Sequence, residues 1–233
     1  MSTHGDRPAF LLFPWWELPS PHDVATIGAQ IGRPARGVLA VAWRCHEGKP
    51  GVAVVAPVIA GERSFKISKP DSDIPNDPPG GPWVPFPTTF WLCCPAVVAR
   101  VSMLESTGWI QRLEQELRAH PEAARELEAA HREAARLRQQ LLAVQPELRR
   151  RAADMGPGAL RRLVESGVAG IRHPQGVKCL HAHLADFLGR WRNPVGRRVA
   201  ELLVEGVAAN AAQPCRFCGG RPEPALEEAL SRG

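Results

Sequence analysis

No stretch of the 233 residues approaches the roughly 20 consecutive apolar positions that a membrane-crossing helix requires. The first apolar cluster, Phe10-Leu-Leu-Phe-Pro-Trp-Trp16, is short, broken by Pro14 and preceded by no basic region, so it does not read as a secretory leader. Lysine is scarce. Only Lys49, Lys66, Lys69 and Lys178 accompany the arginines, so the net charge of +5 rests on arginine in a context of Ala, Gly and Pro. That bias reads as coding composition as readily as a phosphate-binding face. There is no internal repeat and no phosphate-binding loop; Gly167-Val-Ala-Gly170 lacks the lysine and spacing of one and reads as a turn. A chain of this length buries a core without disulfide staples. With six cysteines and no leader, the expectation is a reducing, cytoplasmic compartment in which thiols stay reduced or bind metal.

What is present divides the chain into three parts: an N-terminal arm over 1–21, a single α+β domain over 22–210, and a Cys-x-x-Cys extension over 211–233. The arm, rich in Pro and Trp, is expected to be loosely held with its aromatics on a neighbouring surface. Val24, Ile27 and Ile31 share a helical face that Gly32-Arg-Pro34 ends. The period then shortens. Val38–Cys45 and Gly51–Ile59 are β-branched apolar runs joined as a hairpin by His46-Glu-Gly-Lys-Pro50, and Ser64–Ser68 is a third candidate strand. A Pro, Asp and Gly loop follows from Pro70, and Phe86–Pro95 reads as a last strand ending in Cys93 and Cys94.

From Pro95 the pattern is helical. Val97, Val101 and Leu104, then Ile110, Leu113 and Leu117, then Leu127, Ala130, Ala134, Leu137 and Leu141 form stripes that predict a long helical hairpin over about 95–152. Its charged face reads as solvated, and Arg149-Arg-Arg151 suits a helix C-terminus. The fold expected is therefore α+β: a small, mainly antiparallel sheet packed against helices.

The densest chemistry lies in Val177-Lys-Cys-Leu-His-Ala-His-Leu-Ala-Asp186. A thiol and two imidazoles within five positions can hold a soft or borderline ion, or serve nucleophilic chemistry. If a helix begins near Val177, Cys179 and His183 share a face; if it begins after Cys179, His181 can turn to the thiol instead. Cys215-x-x-Cys218 followed by two glycines is half of a metal knuckle. Cys94 and Cys45, each at a strand end, are further ligands. Zinc is the ion favoured, with an iron–sulfur cluster as the alternative. Arg172, Lys178 and Arg197 are weaker candidates for receiving an anion.

Several stretches, taken in order, carry a resemblance: Gly32-Arg-Pro-Ala-Arg-Gly37, Arg44-Cys45, Phe86-Pro-Thr88 with Trp91-Leu92 and Cys94-Pro95, Val177-Lys-Cys-Leu-His181, and Asn193-Pro-Val-Gly196. From about Val24 to Val207 the sequence resembles the bacterial domain of unknown function 501 family. The resemblance implies a small cytoplasmic bacterial protein and brings no reaction with it. The function expected is a metal-stabilised binding or regulatory module for a protein or an anionic small molecule, away from any membrane. A metal- or thiol-dependent enzyme using Cys179 with His181 or His183, and a nucleic-acid-associated protein, are the alternatives.

Overall fold

A computed structural model describes residues 8–61, 82–207, 215–216 and 219–232. Helix α1 (Pro21–Ile31) starts at a capping box, in which Ser20 and Asp23 satisfy each other's backbone N–H groups, and ends at Gly32 with φ 70°. Asp23 also binds the Arg44 guanidinium at 2.8 Å, which ties α1 to the end of β1 and holds its carboxyl well below the usual carboxylate range.

Strands β1 (Val38–Arg44), β2 (Pro50–Val55) and β5 (Phe90–Leu92) form an antiparallel sheet in the order β1-β2-β5. Ala56-Pro57 breaks the second apolar run, so Val58–Ala60 becomes a separate β3, paired with β4 (Trp83–Pro85) in a two-stranded sheet. The Ser64–Ser68 run lies outside the described residues. The main sheet is buried on both faces: Ala53 and Val55 pack with Ile27 of α1, whereas Val52 and Val54 face the larger core. This alternation is the two-residue period of a strand.

The segment expected as one hairpin consists of four helices: α2 (Pro95–Ser106), α3 (Trp109–Ala119), α4 (Pro121–Val144) and α5 (Pro146–Asp154). Proline stands in the first turn of α2, α4 and α5, where its missing N–H is no loss. Helices α3 and α4 pack together across the turn at His120. Because Pro146 opens a new helix, Arg149-Arg-Arg151 lies within α5 rather than at the end of α4, with Arg151 in the last turn of α5. Arg151 is buried there against Glu147, its guanidinium 3.9 Å from the Trp83 ring centroid.

Helix α6 (Pro157–Glu165) and a 3-10 turn at Val168–Gly170 lead to α7 (Leu180–Arg190), the central helix, which packs on the sheet, on α2 and on α8 (Pro194–Val204). Asn193 caps α8, Pro194 is its first residue, and a Cβ on Gly196 would collide with the His183 carbonyl, so Asn193-Pro-Val-Gly196 is the device that crosses α8 closely over α7. The N-terminal arm is built in from Pro8 onward rather than loosely held. Trp16 is 1% exposed, the Trp15 and Trp16 indoles donate to the Gly189 carbonyl, and Glu17 bridges to Val41. At the other end α9 (Glu223–Arg232) buries Leu226 and Ala229 in the same core. No helix among the described residues is long and apolar enough to cross a membrane.

Candidate metal centre

Helix α7 begins at Leu180 with Cys179 as its cap residue in extended conformation. Of the two registers open in the sequence, this is the one that turns His181 toward the thiol. The Cys179 side chain does not cap the helix. Instead Glu105, in the last turn of α2, reaches across and accepts the Leu180 N–H at 2.6 Å. The same carboxylate oxygen lies 3.2 Å from His181 Nδ1, and Cys179 Sγ lies 3.8 Å from that nitrogen. The Glu105, Cys179 and His181 donor atoms all fall within 4.8 Å of one another, half-buried.

The other ring nitrogen fixes the tautomer. His181 Nε2 is 3.1 Å from the Val98 carbonyl, which can only accept, and 3.1 Å from Ser102 Oγ, which itself donates to Val98. Nε2 therefore carries a proton, and Nδ1 faces the thiol and the carboxylate. A carboxylate cannot donate, so the short Nδ1 to Glu105 approach requires a proton or a cation between them. Burial alone would lower the His181 pKa, but the thiol, the Glu105 carboxylate and the Val98 carbonyl outweigh it and hold it above the ordinary imidazole value.

His183 is separated from this cluster. It is wholly buried on the far side of α7, with Nδ1 3.2 Å from the Asn193 amide and its ring edge-on to His131 at 5.6 Å. Burial pushes its pKa down to about 4. His131 is fixed as a neutral ring by the Val168 N–H on Nδ1 and the Gly176 carbonyl at Nε2. Asp186 joins this second network, holding Arg190 through both oxygens and accepting from Asn193 at 2.9 Å, while Arg190 also reaches Glu133.

The remaining candidates lie elsewhere. Cys45 and Cys94 are buried just past the ends of β1 and β5, Cys215 is buried in the C-terminal segment, and Cys218 lies outside the described residues. Arg172 and Arg197 line different grooves, and the Lys178 ammonium turns to the Ala169 carbonyl. The arginines flanking the motif face acids: Arg161 with Glu165, Arg192 with Glu133, Arg197 and Arg198 with Glu201. Sequence reasoning missed Glu105, Ser102 and Val98. Their spacing of i, i+4 and i+7 puts them on one face of α2, about 100° round the helix from the apolar stripe of Val97, Val101 and Leu104, and that is the signal that marks them.

These observations define an α+β protein with a carboxylate, a thiol and an imidazole gathered between two helices. The chain belongs to the family described as a protein of unknown function (DUF501), whose model matches residues 41–201 and so spans all three donors. No curated protein and no solved structure matches it.

Proposed function

We infer that this protein is a metal-stabilised binding or regulatory module, with zinc the favoured ion and Glu105, Cys179 and His181 its ligands. One observation carries the reading: three donors of different chemistry converge within 4.8 Å while the fourth polar atom, His181 Nε2, is tied away to a backbone carbonyl. A carbonyl on the distal nitrogen is the usual support for a metal-bound imidazole. The spacing agrees. Zinc bonds of about 2.0–2.3 Å at tetrahedral angles put neighbouring donors roughly 3.4–3.6 Å apart, close to the 3.2 and 3.8 Å found. A mixed oxygen, nitrogen and sulfur set also suits zinc better than an iron–sulfur cluster, which takes thiolates. In this role the ion links the end of α2 to the start of α7.

Half-burial favours a second reading. Three protein ligands leave a fourth position for water, the arrangement of catalytic rather than closed zinc sites, so a metal-dependent enzyme using Cys179 and His181 is the alternative. The acid partners of the arginines weigh against a nucleic-acid face. The test is elemental analysis of the full chain purified without oxygen, wild type against Cys179→Ser. Loss of one zinc equivalent in the variant supports the site; equal zinc in both removes Cys179 from it. Cobalt substitution then separates the two readings. A visible spectrum that shifts on adding a small anion marks an open position, and an unmoved spectrum marks a closed module.

A further inference from the structure

Cys45, Cys94 and Cys215 come from three distant segments and line one small cavity. Their convergence follows from the sheet. Strands β1 and β5 flank β2 and are both antiparallel to it, so they run the same way and finish at the same edge. Cys45 stands just past the end of β1, in a tight turn closed by its hydrogen bonds with Gly48 and Lys49. Cys94 stands just past the end of β5, as the residue that opens α2. The third thiol arrives from the C-terminal segment. There the Cys215 carbonyl accepts from Gly219 at 2.7 Å and its N–H donates to Gly220 at 2.9 Å, a turn that Gly219 permits with φ 68°. Gly220 lies so close to the first hairpin that a Cβ would sit 2.7 Å from Glu47 Cγ.

We propose that Cys45, Cys94 and Cys215 are ligands of one zinc ion, a second metal site that fastens the C-terminal turn to the end of the sheet. Each thiol is at least nine-tenths buried, and a buried cysteine taken singly is an ordinary small apolar residue. Three on one cavity are the makings of a thiolate site; their sulfurs are not all within the 4.8 Å that gathers the Glu105, Cys179 and His181 donors, so the ion would draw them together. A bound cation deprotonates coordinating thiols, so their burial is no bar to a thiolate site. The family model ends at residue 201, so this site would attach a segment lying beyond the matched region.

The proposal is independent of the Glu105 site, and one set of proteins tests both. Zinc is counted per full-length chain, purified without oxygen, for the wild type, His181→Ala, Cys94→Ser and Cys215→Ser. The expected result is a zinc equivalent kept by His181→Ala and lost by either serine variant, with a sulfur-dominated zinc shell by X-ray absorption in His181→Ala. Serine variants that keep all the wild-type zinc would overturn the proposal, as would a shell of only nitrogen and oxygen. To guard against misfolded variants, wild-type protein is alkylated with and without a chelator and mapped by mass spectrometry. Joint unmasking of Cys45, Cys94 and Cys215 supports the site; identical labelling with and without chelator at all three overturns it.

Discussion

Two histidines two residues apart on α7 meet opposite fates. His181 and His183 point about 200° apart around the helix, one toward α2 at a half-open edge, the other into a sealed layer with His131, Asn193 and Asp186. Around His181 the donors are unlike, close and only half-buried. Around His183 every neighbour is committed to another part of the fold: Asn193 to the cap of α8, Asp186 to Arg190, His131 to the 3-10 turn. The difference is one of spare capacity. Around His181 a thiol, an imidazole nitrogen and a carboxylate, one oxygen of which also accepts the Leu180 N–H, meet at one point and can accept an ion, whereas around His183 a single buried nitrogen, Nε2, is left over and the rest of the network holds helices together. Changes in the sealed layer should therefore move stability without moving metal, and changes at the open edge should do the reverse.

The largest effect is expected from Asp186→Asn. The amide keeps the shape but removes the charge opposite Arg190, which is 3% exposed, and lessens the compensation felt by buried Arg138. Breaking one side of a buried ion pair typically costs about 3–5 kcal/mol, and the Glu133 carboxylate that Arg190 also reaches keeps the cost at the lower end of that range. Urea unfolding of the variant should show that loss while zinc content stays at the wild-type value. Next comes pH. The unfolded chain holds its imidazoles near a pKa of about 6.5, whereas folded His183 is held at about 4 and His131 is also lowered, both chiefly by burial. Between those values the unfolded state binds more protons, so stability falls as pH falls from about 6.5 toward 4. For His183 the loss amounts to about 3 kcal/mol at the acid end. Chelator-treated His183→Gln protein should show a flatter profile over this window; a slope equal to the wild type's would contradict the sealed-pair account. Asp23, paired with Arg44, adds a loss of the same sign only at lower pH, below its unfolded value.

Much of this was legible in the sequence, and the illegible part has physical causes. The α+β layout followed from the change of period between Ile59 and Val97, because strand alternation and helical stripes are both enforced by burial. The hairpin over 95–152 was harder. The apolar stripe runs on through Pro121 and Pro146, and a proline in the first turn of a new helix resembles a kink until the chain's direction is known. That the arm's aromatics lie on a neighbouring surface was expected, but not the depth of Trp16, since an irregular segment carries no period. At the centre, Cys179 and His181 could be named but their partner could not. Glu105 is 75 residues from Leu180, whose N–H it accepts, and only the packing of α2 against α7 makes the two neighbours.

The smallest effect should come from Glu105→Gln, and it tests the comparison most closely, being the same kind of change as Asp186→Asn. The amide oxygen can still accept the Leu180 N–H, so the start of α7 keeps its hydrogen bond and loses only the favourable charge at a helix N-terminus, worth about 0.3–1 kcal/mol. The His181 pKa should fall, because one of the groups that raises it is gone. An NMR titration of the imidazole reads this directly, in chelator, without reference to metal. Zinc should bind more weakly to the same variant, since the carboxylate ligand is replaced by a neutral one. If Glu105→Gln instead unfolds the chain as readily as Asp186→Asn and leaves the His181 titration unmoved, Glu105 is a structural anchor like Asp186. The edge of α7 would then have no more spare capacity than its sealed side.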